Sequence, residues 1–139
     1  GRMDEKTYDA MIALIKNNPN QPITILANSR GGYVAGILDA MDAIHKHGSV
    51  SWDVSAGSVC QSACAVLALS ASKINGELDF HSVYGQYNKD KYMMLGNNDE
   101  IKNKLISFGY SQDLISKLFG SINIYKTLEF QDGVLMQNN

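Results

Sequence analysis

The sequence has little of what marks a nucleic-acid-binding or membrane-spanning protein. Its 139 residues carry 12 Lys and Arg against 14 Asp and Glu, so there is no basic surplus to attract nucleic acid. No apolar run approaches the roughly 20 residues that a membrane-spanning helix needs. Only two prolines are present, while 45% of the residues are hydrophobic and 19% are charged. This composition predicts one globular domain over residues 1–139, with a protein core and no linker.

Cysteine is also scarce, with Cys60 and Cys64 alone in the chain. Two thiols are too few for a metal site, and no further Cys or His lies close in sequence to complete one, so we predict no metal and no cofactor. Within a helix, a spacing of four residues is poor geometry for a disulfide. The favoured interpretation is two small buried residues. A disulfide stays open as the alternative, and it would imply an oxidising compartment.

Hydrophobic periodicity predicts helices that alternate with short strands. The predicted helices cover residues 3–18, 33–47, 62–72, where Ser62 marks the change from loop to helix, and two pieces around Gly109 within 99–119. The predicted strands cover 23–27, 50–55, 78–83 and 134–136. Asn75-Gly76 is typical of a turn, residues 84–97 of a loop or lid, and residues 127–133 of a turn or short helix. The alternation predicts an α/β fold with a mainly parallel sheet.

Three features follow or lie on successive strands of that predicted sheet. Gly31-Gly32 follows the first strand, Ser62 follows the second, and His81 lies on the third. A serine nucleophile needs a base such as histidine, and backbone N–H groups to receive the oxyanion. Each feature also has a simpler interpretation: a tight turn for the glycines, a helix N-cap for Ser62, and a backbone-bonded strand residue for His81.

Residues 25–36, which read Ile-Leu-Ala-Asn-Ser-Arg-Gly-Gly-Tyr-Val-Ala-Gly, resemble the strand, Ser-Pro-Gly-Gly turn and helix of ClpP, the proteolytic subunit of the Clp protease. The following helix and strand lead to Gly57 and then Ser62, as in that family. The Cys-x-Ser-x-Cys form of residues 60–64 is similar to small ClpP-like proteins of bacterial envelopes, and Phe80-His81 resembles the strand with the catalytic histidine. The resemblance implies a ClpP/crotonase-like spiral of β-β-α units.

The resemblance also implies roles for individual residues. Ser62 would be the nucleophile and His81 the general base. The backbone amides of Gly32 and Ala63 would form the oxyanion hole. Such a protein would be a serine endopeptidase that acts on peptides or proteins and assembles as a homo-oligomer.

The sequence departs from the family pattern at several positions. Arg30 stands where the family usually has proline, and the segment between the serine and the histidine is short. No aspartate clearly matches the third triad member; Asn123 falls nearest, with Tyr125 and Asp113 as alternatives. An asparagine would orient the histidine without supplying a negative charge. The chain begins where the family's first strand ends, so we also expect that N-terminal strand to be missing.

Two other functions stay open beside the peptidase. One is a non-catalytic ClpP-like module that binds a peptide or partner in the same cleft, as the absent aspartate suggests. The other is a crotonase-like acyl-CoA enzyme, although the sequence offers no adenine or pyrophosphate site. By resemblance we expect a periplasmic protein, with the cytoplasm as the alternative, and no nucleic-acid partner.

Overall fold

The computed structural model describes residues 1–33, 35–81, 98–119 and 125–136. The helices are α1 (Glu5–Asn17), α2 (Ile37–His47), α3 (Ala63–Ala68), α4 (Asn98–Ser107) and α5 (Gln112–Phe119). The strands are β1 (Ile23–Leu26), β2 (Val50–Asp53), β3 (Lys73–His81), β4 (Tyr125–Gln131) and β5 (Val134–Met136). None of the helices within the described ranges has the length and apolar character to span a membrane.

The strands form one five-stranded sheet in the order β1-β2-β3-β4-β5. Strands β1, β2 and β3 run parallel, with Ile25 opposite Trp52 and Trp52 opposite Ile74. Strands β3, β4 and β5 are antiparallel neighbours. The predicted α/β fold is therefore confirmed. Its parallel part consists of β1, β2 and β3.

The core lies between this sheet and the helices that connect its strands. Trp52 of β2 is fully buried, and so are Tyr8 of α1 and Met41 of α2. All six residues of α3 are buried, which explains why that part of the sequence is an unbroken apolar run. Burial of apolar surface stabilises the folded state by about 25 cal/mol per Å². Helix α3 is thus anchored on every side.

Helix α2 begins at Ile37, four residues later than the periodicity predicts. The reason is local: the Tyr33 N–H donates to the Met3 carbonyl at 2.9 Å, so the chain is still extended there. Gly36 then turns the chain with a φ of 87°, and Gly48 ends the helix with a φ of 81°.

The prediction of a turn at Asn75-Gly76 is wrong, because both residues lie inside β3. The glycine is needed because the chain just after β2 passes close to it: a Cβ at Gly76 would collide with the Val54 carbonyl oxygen. The prediction of a turn or helix over residues 127–133 is also wrong in most of its length. Strand β4 continues to Gln131, and only Asp132 and Gly133 form the turn before β5. The predicted loop at 84–97 lies outside the described residues.

Candidate functional site

The segment that carries Ser62 continues the line of β2 in the sheet. The chain leaves the sheet after Val54, and residues 59–61 return to it. On one side, the Ser29 N–H donates to the Val59 carbonyl at 2.7 Å, and the Gln61 N–H donates to the Ser29 carbonyl at 2.9 Å. On the other side, Gln61 forms a parallel bridge with Asp79 of β3. The residue before Ser62 is therefore held between two extended segments.

Ser62 itself is bonded to β3 through its backbone. Its N–H donates to the Asp79 carbonyl at 3.0 Å, while the Asp79 N–H donates to the Cys60 carbonyl at 2.9 Å. These bonds fix the point where the extended segment stops and α3 begins. Ser62 is half-buried there.

The backbone conformation of Ser62 is strained. Its φ is 56° and its ψ is −116°, and within the described ranges Asp132 is the other non-glycine residue with a positive φ. Such conformations cost on the order of 1–3 kcal/mol and cluster at functional sites. Ser62 takes the N-cap position of α3, yet its side chain makes no capping hydrogen bond. Ser62 therefore occupies the N-cap position without acting as a cap. Its hydroxyl accepts no hydrogen bond from the N–H groups of the first turn of α3.

The glycine pair after β1 lies next to Ser62, which is bonded through its backbone to β3. A Cβ built at Gly31 would lie 2.9 Å from the Ser62 Cβ and 3.2 Å from the Ala63 nitrogen, and the φ of Gly31 is 101°. Gly31 is therefore a glycine because a side chain would displace the serine. The sequence predicts the pair Gly31-Gly32 and a role for the Gly32 amide, but it does not predict the contact of Gly31 with Ser62.

Gly32 forms a parallel bridge with Met3. The Met3 N–H donates to the Gly31 carbonyl at 2.9 Å, and the Tyr33 N–H donates back to the Met3 carbonyl at the same distance. In a parallel pair of this register, the N–H of the central residue points away from its partner strand. The Gly32 N–H therefore faces away from Met3.

His81 is the last residue of β3, two positions beyond the Asp79 carbonyl that binds Ser62. In the antiparallel pairing of β3 with β4, His81 lies opposite Tyr125. The fold thus brings the backbones of Ser62, His81 and Tyr125 to one region of the sheet. The imidazole of His81 and the ring of Tyr125 lie outside the described part of the chain.

The candidates for a third triad member fare differently. Asn123 lies outside the described residues. Asp113, in the first turn of α5, is 81% exposed and forms an ion pair with Lys117 at 3.2 Å. That position gives Asp113 a solvent-facing role on its own helix, so of the three alternatives Tyr125 is the one described beside His81.

A group of carboxyl side chains lies along β3 and β4 near this region. Asp79 is buried, and its Oδ1 accepts a hydrogen bond from the Thr127 hydroxyl at 3.1 Å. A hydrogen bond with Asp79 raises the pKa of Glu77, and burial and the charges of Asp79 and Glu129 raise it further. The burial of Asp79 is not predicted from the sequence, because a polar residue between Leu78 and Phe80 is typical of a solvent-facing strand position. No group of three or more acidic, His or Cys residues in the described part of the chain is arranged to hold a metal ion.

Cys60 and Cys64 form a disulfide with Cα atoms 5.1 Å apart, so the interpretation as two unpaired buried cysteines is wrong. The reason is the position of the helix start. Cys60 pairs with Ser29 in extended conformation and α3 begins only at Ala63, so the two cysteines are not on successive turns of one helix. Both are fully buried. The disulfide closes a loop of five residues with Ser62 at its centre.

A cavity of about 310 Å³ lies elsewhere, at the opposite end of α3 from Ser62. Leu69 and the three residues that follow it line one wall, and His45 lies near Phe108 on another. Their rings are stacked with centroids 3.8 Å apart. None of the predicted site residues lines this cavity.

Comparison with protein families matches residues 2–104 to the family described as Clp protease. Among solved structures, the fold is similar to that of a ClpP1 variant from Listeria monocytogenes, with a TM-score of 0.59 and 20% sequence identity. The match covers 93% of this chain and 79% of that one. At that identity the likeness concerns the fold alone. A search of curated proteins gives no match.

Proposed function

The chain belongs to the Clp protease family, and from that premise we propose that it is a serine peptidase that cleaves peptide bonds through an acyl-enzyme on Ser62. The observation that carries the proposal is the strained, half-buried Ser62, whose hydroxyl does not cap α3. A serine at a sharp turn between an extended segment and a helix is typical of a nucleophile whose Oγ must stay accessible.

The chemistry follows from the proposed roles. The Ser62 Oγ attacks the scissile carbonyl carbon while His81 takes the hydroxyl proton. The tetrahedral intermediate collapses, the C–N bond breaks, and His81 gives the proton to the leaving amine. Water then attacks the ester with His81 again as base, which releases the acid and restores the serine.

Backbone hydrogen bonding supports Gly32 and Ala63 as the oxyanion donors. The N–H groups beside them are engaged: that of Gly31 donates to the Ser29 Oγ at 3.1 Å, and that of Ser62 donates to Asp79. The Gly32 N–H faces away from its bridge partner, and the Ala63 nitrogen lies beside the glycine pair. Two preorganised N–H donors contribute about 3–4 kcal/mol each to a transition state of this kind.

A fluorophosphonate probe tests the proposal, because it phosphonylates only an activated serine. The wild-type protein should be labelled once per chain and Ser62→Ala should not be labelled. Ser58→Ala is the matched control, since Ser58 is also half-buried, lies four residues away and should leave labelling unchanged. A wild-type protein that resists the probe at millimolar concentration would contradict the proposal.

A second function is favoured by one observation: Asp113, the carboxylate among the three candidates for the third triad member, faces solvent. A cleft in which no carboxylate supports the imidazolium would bind an extended peptide and not cleave it, since loss of that charge costs about four orders of magnitude in rate. Equal peptide affinity of wild type and Ser62→Ala, with no turnover by either, would support the binding module. Cleavage that disappears in the variant would exclude it.

Family membership also supports a homo-oligomer that acts on protein substrates. Three successive apolar side chains are exposed on the edge strand β5, where Val134 is 62%, Leu135 42% and Met136 39% exposed. Exposed apolar side chains of this size on neighbouring surface positions mark contact with other chains. We therefore propose that copies of this chain associate.

The disulfide supports a periplasmic location for the protein. Disulfides persist in oxidising environments such as the periplasm and are rare in the cytosol. The Cys60–Cys64 bond therefore supports the expected periplasmic location over the cytoplasmic alternative.

A further inference from the structure

We propose that the Cys60–Cys64 disulfide holds Ser62 in its reactive conformation, so that the two cysteines are positioning residues for the nucleophile. The inference rests on the proposed function, because it concerns the reactivity of Ser62. It goes beyond that function in assigning the strained backbone of the serine to a covalent constraint.

The disulfide closes a short ring whose two ends are fixed. Cys60 is held in the sheet by its bridge to Ser29, and the Trp52 Nε1–H donates to its Sγ at 3.4 Å. Cys64 is in the first turn of α3, and its N–H donates to the Gln61 carbonyl at 3.1 Å. Since both cysteines are fully buried, neither end can move without disturbing the core.

Ser62 stands at the middle of this ring with a φ of 56°. A non-glycine residue keeps such a conformation only when its surroundings over-determine it. The hydrogen bond from its N–H to Asp79 fixes one side of the residue. The disulfide joins the residue two before Ser62 to the residue two after it and holds their Cα atoms 5.1 Å apart, so the chain around the serine cannot open into an extended segment.

A general role in stability explains the bond less well. A disulfide stabilises a fold mainly by restricting the unfolded chain, and this effect grows with the length of the loop that it closes. The two cysteines are separated by four positions in sequence, so the loop that they close is very short. Its constraint is therefore concentrated on the three residues inside it, and Ser62 is the central one.

The test compares the fluorophosphonate labelling rate of wild type with that of Cys60→Ala/Cys64→Ala, which removes both sulfurs and leaves no free thiol. We expect labelling of Ser62 to be about tenfold slower per folded molecule, because a relaxed serine backbone then competes with the reactive one. Ile15→Ala is the matched control: Ile15 is buried in α1, away from the site, so this variant loses stability and should keep the wild-type labelling rate.

A second measurement covers the case in which the double variant does not fold. Wild-type protein is reduced with dithiothreitol below its melting temperature, a thiol count confirms two free cysteines, and labelling is then timed. Slow labelling in the reduced form, restored after reoxidation, supports the inference. Labelling at the wild-type rate by either disulfide-free form overturns it while the proposed function stands, whereas a wild type that is never labelled overturns both.

Discussion

Replacing Gly31 with alanine should damage the candidate site more than it damages the fold. Two costs add at this position. The φ of 101° is unfavourable for a residue with a Cβ, at about 1–2 kcal/mol. The new methyl group would lie 2.9 Å from the Ser62 Cβ, and overpacking of this kind costs about 1–3 kcal/mol. We expect a total loss of about 2–5 kcal/mol in the free energy of unfolding.

Gly48→Ala separates the two costs. Gly48 also has a positive φ, 81°, but nothing lies within 4 Å of the position that its Cβ would take. This variant should show only the backbone cost of about 1–2 kcal/mol. For a chain of this length, the Gly31 variant should therefore melt at least about 3 °C below the Gly48 variant.

The labelling assay gives the second readout. The Gly31 side chain would push on the nucleophile itself, and a misplacement of about 1 Å can cost about 10²-fold in rate. We expect Gly31→Ala to be labelled about 10- to 100-fold more slowly than wild type, and Gly48→Ala to be labelled at the wild-type rate. Equal melting temperatures for the two variants, with normal labelling of Gly31→Ala, would refute the contact between Gly31 and Ser62.

Two further predictions concern pH and assembly. Burial raises the pKa of Tyr110 to about 12, and its hydroxyl donates to the Leu69 carbonyl at 2.6 Å. Because the pKa is higher in the folded protein than in the unfolded chain, the stability contributed by the protonated hydroxyl is fully present below about pH 10. It is lost as the pH rises toward 12. The melting temperature should fall across that interval and fall less in Tyr110→Phe, so parallel profiles would contradict the assignment. Light scattering of the wild type should give a multiple of the monomer mass. Val134→Lys, on the exposed strand β5, should lower the measured mass. A wild type that is monomeric at every concentration would contradict the proposed association.

The sequence predicts correctly those features that depend on a single segment of the chain. The apolar run after Ser62 predicts a helix without a solvent face, and α3 is buried at all six positions. The glycine pair predicts an unusual backbone after β1, and both glycines have a positive φ. The resemblance carried by residues 25–36 is confirmed by the family match over residues 2–104.

The features that assemble the site depend on distant residues, which leave no local pattern. Asp79 resembles a surface position until the chain before Ser62 pairs with it. Gly76 resembles a turn until the Val54 carbonyl approaches it. The disulfide depends on whether α3 starts before or after Cys60, and helix boundaries are uncertain by one or two residues even in known structures.

The roles of Ser62, His81, Gly32, Ala63 and Asn123 stay predictions, and one measurement tests them most directly. It is a crystal structure of the protein after reaction with a fluorophosphonate. We predict phosphorus bonded to the Ser62 Oγ and the phosphonyl oxygen about 2.7–3.1 Å from two backbone nitrogens, those of Gly32 and Ala63. An adduct on another residue, or a phosphonyl oxygen directed into solvent, would contradict it.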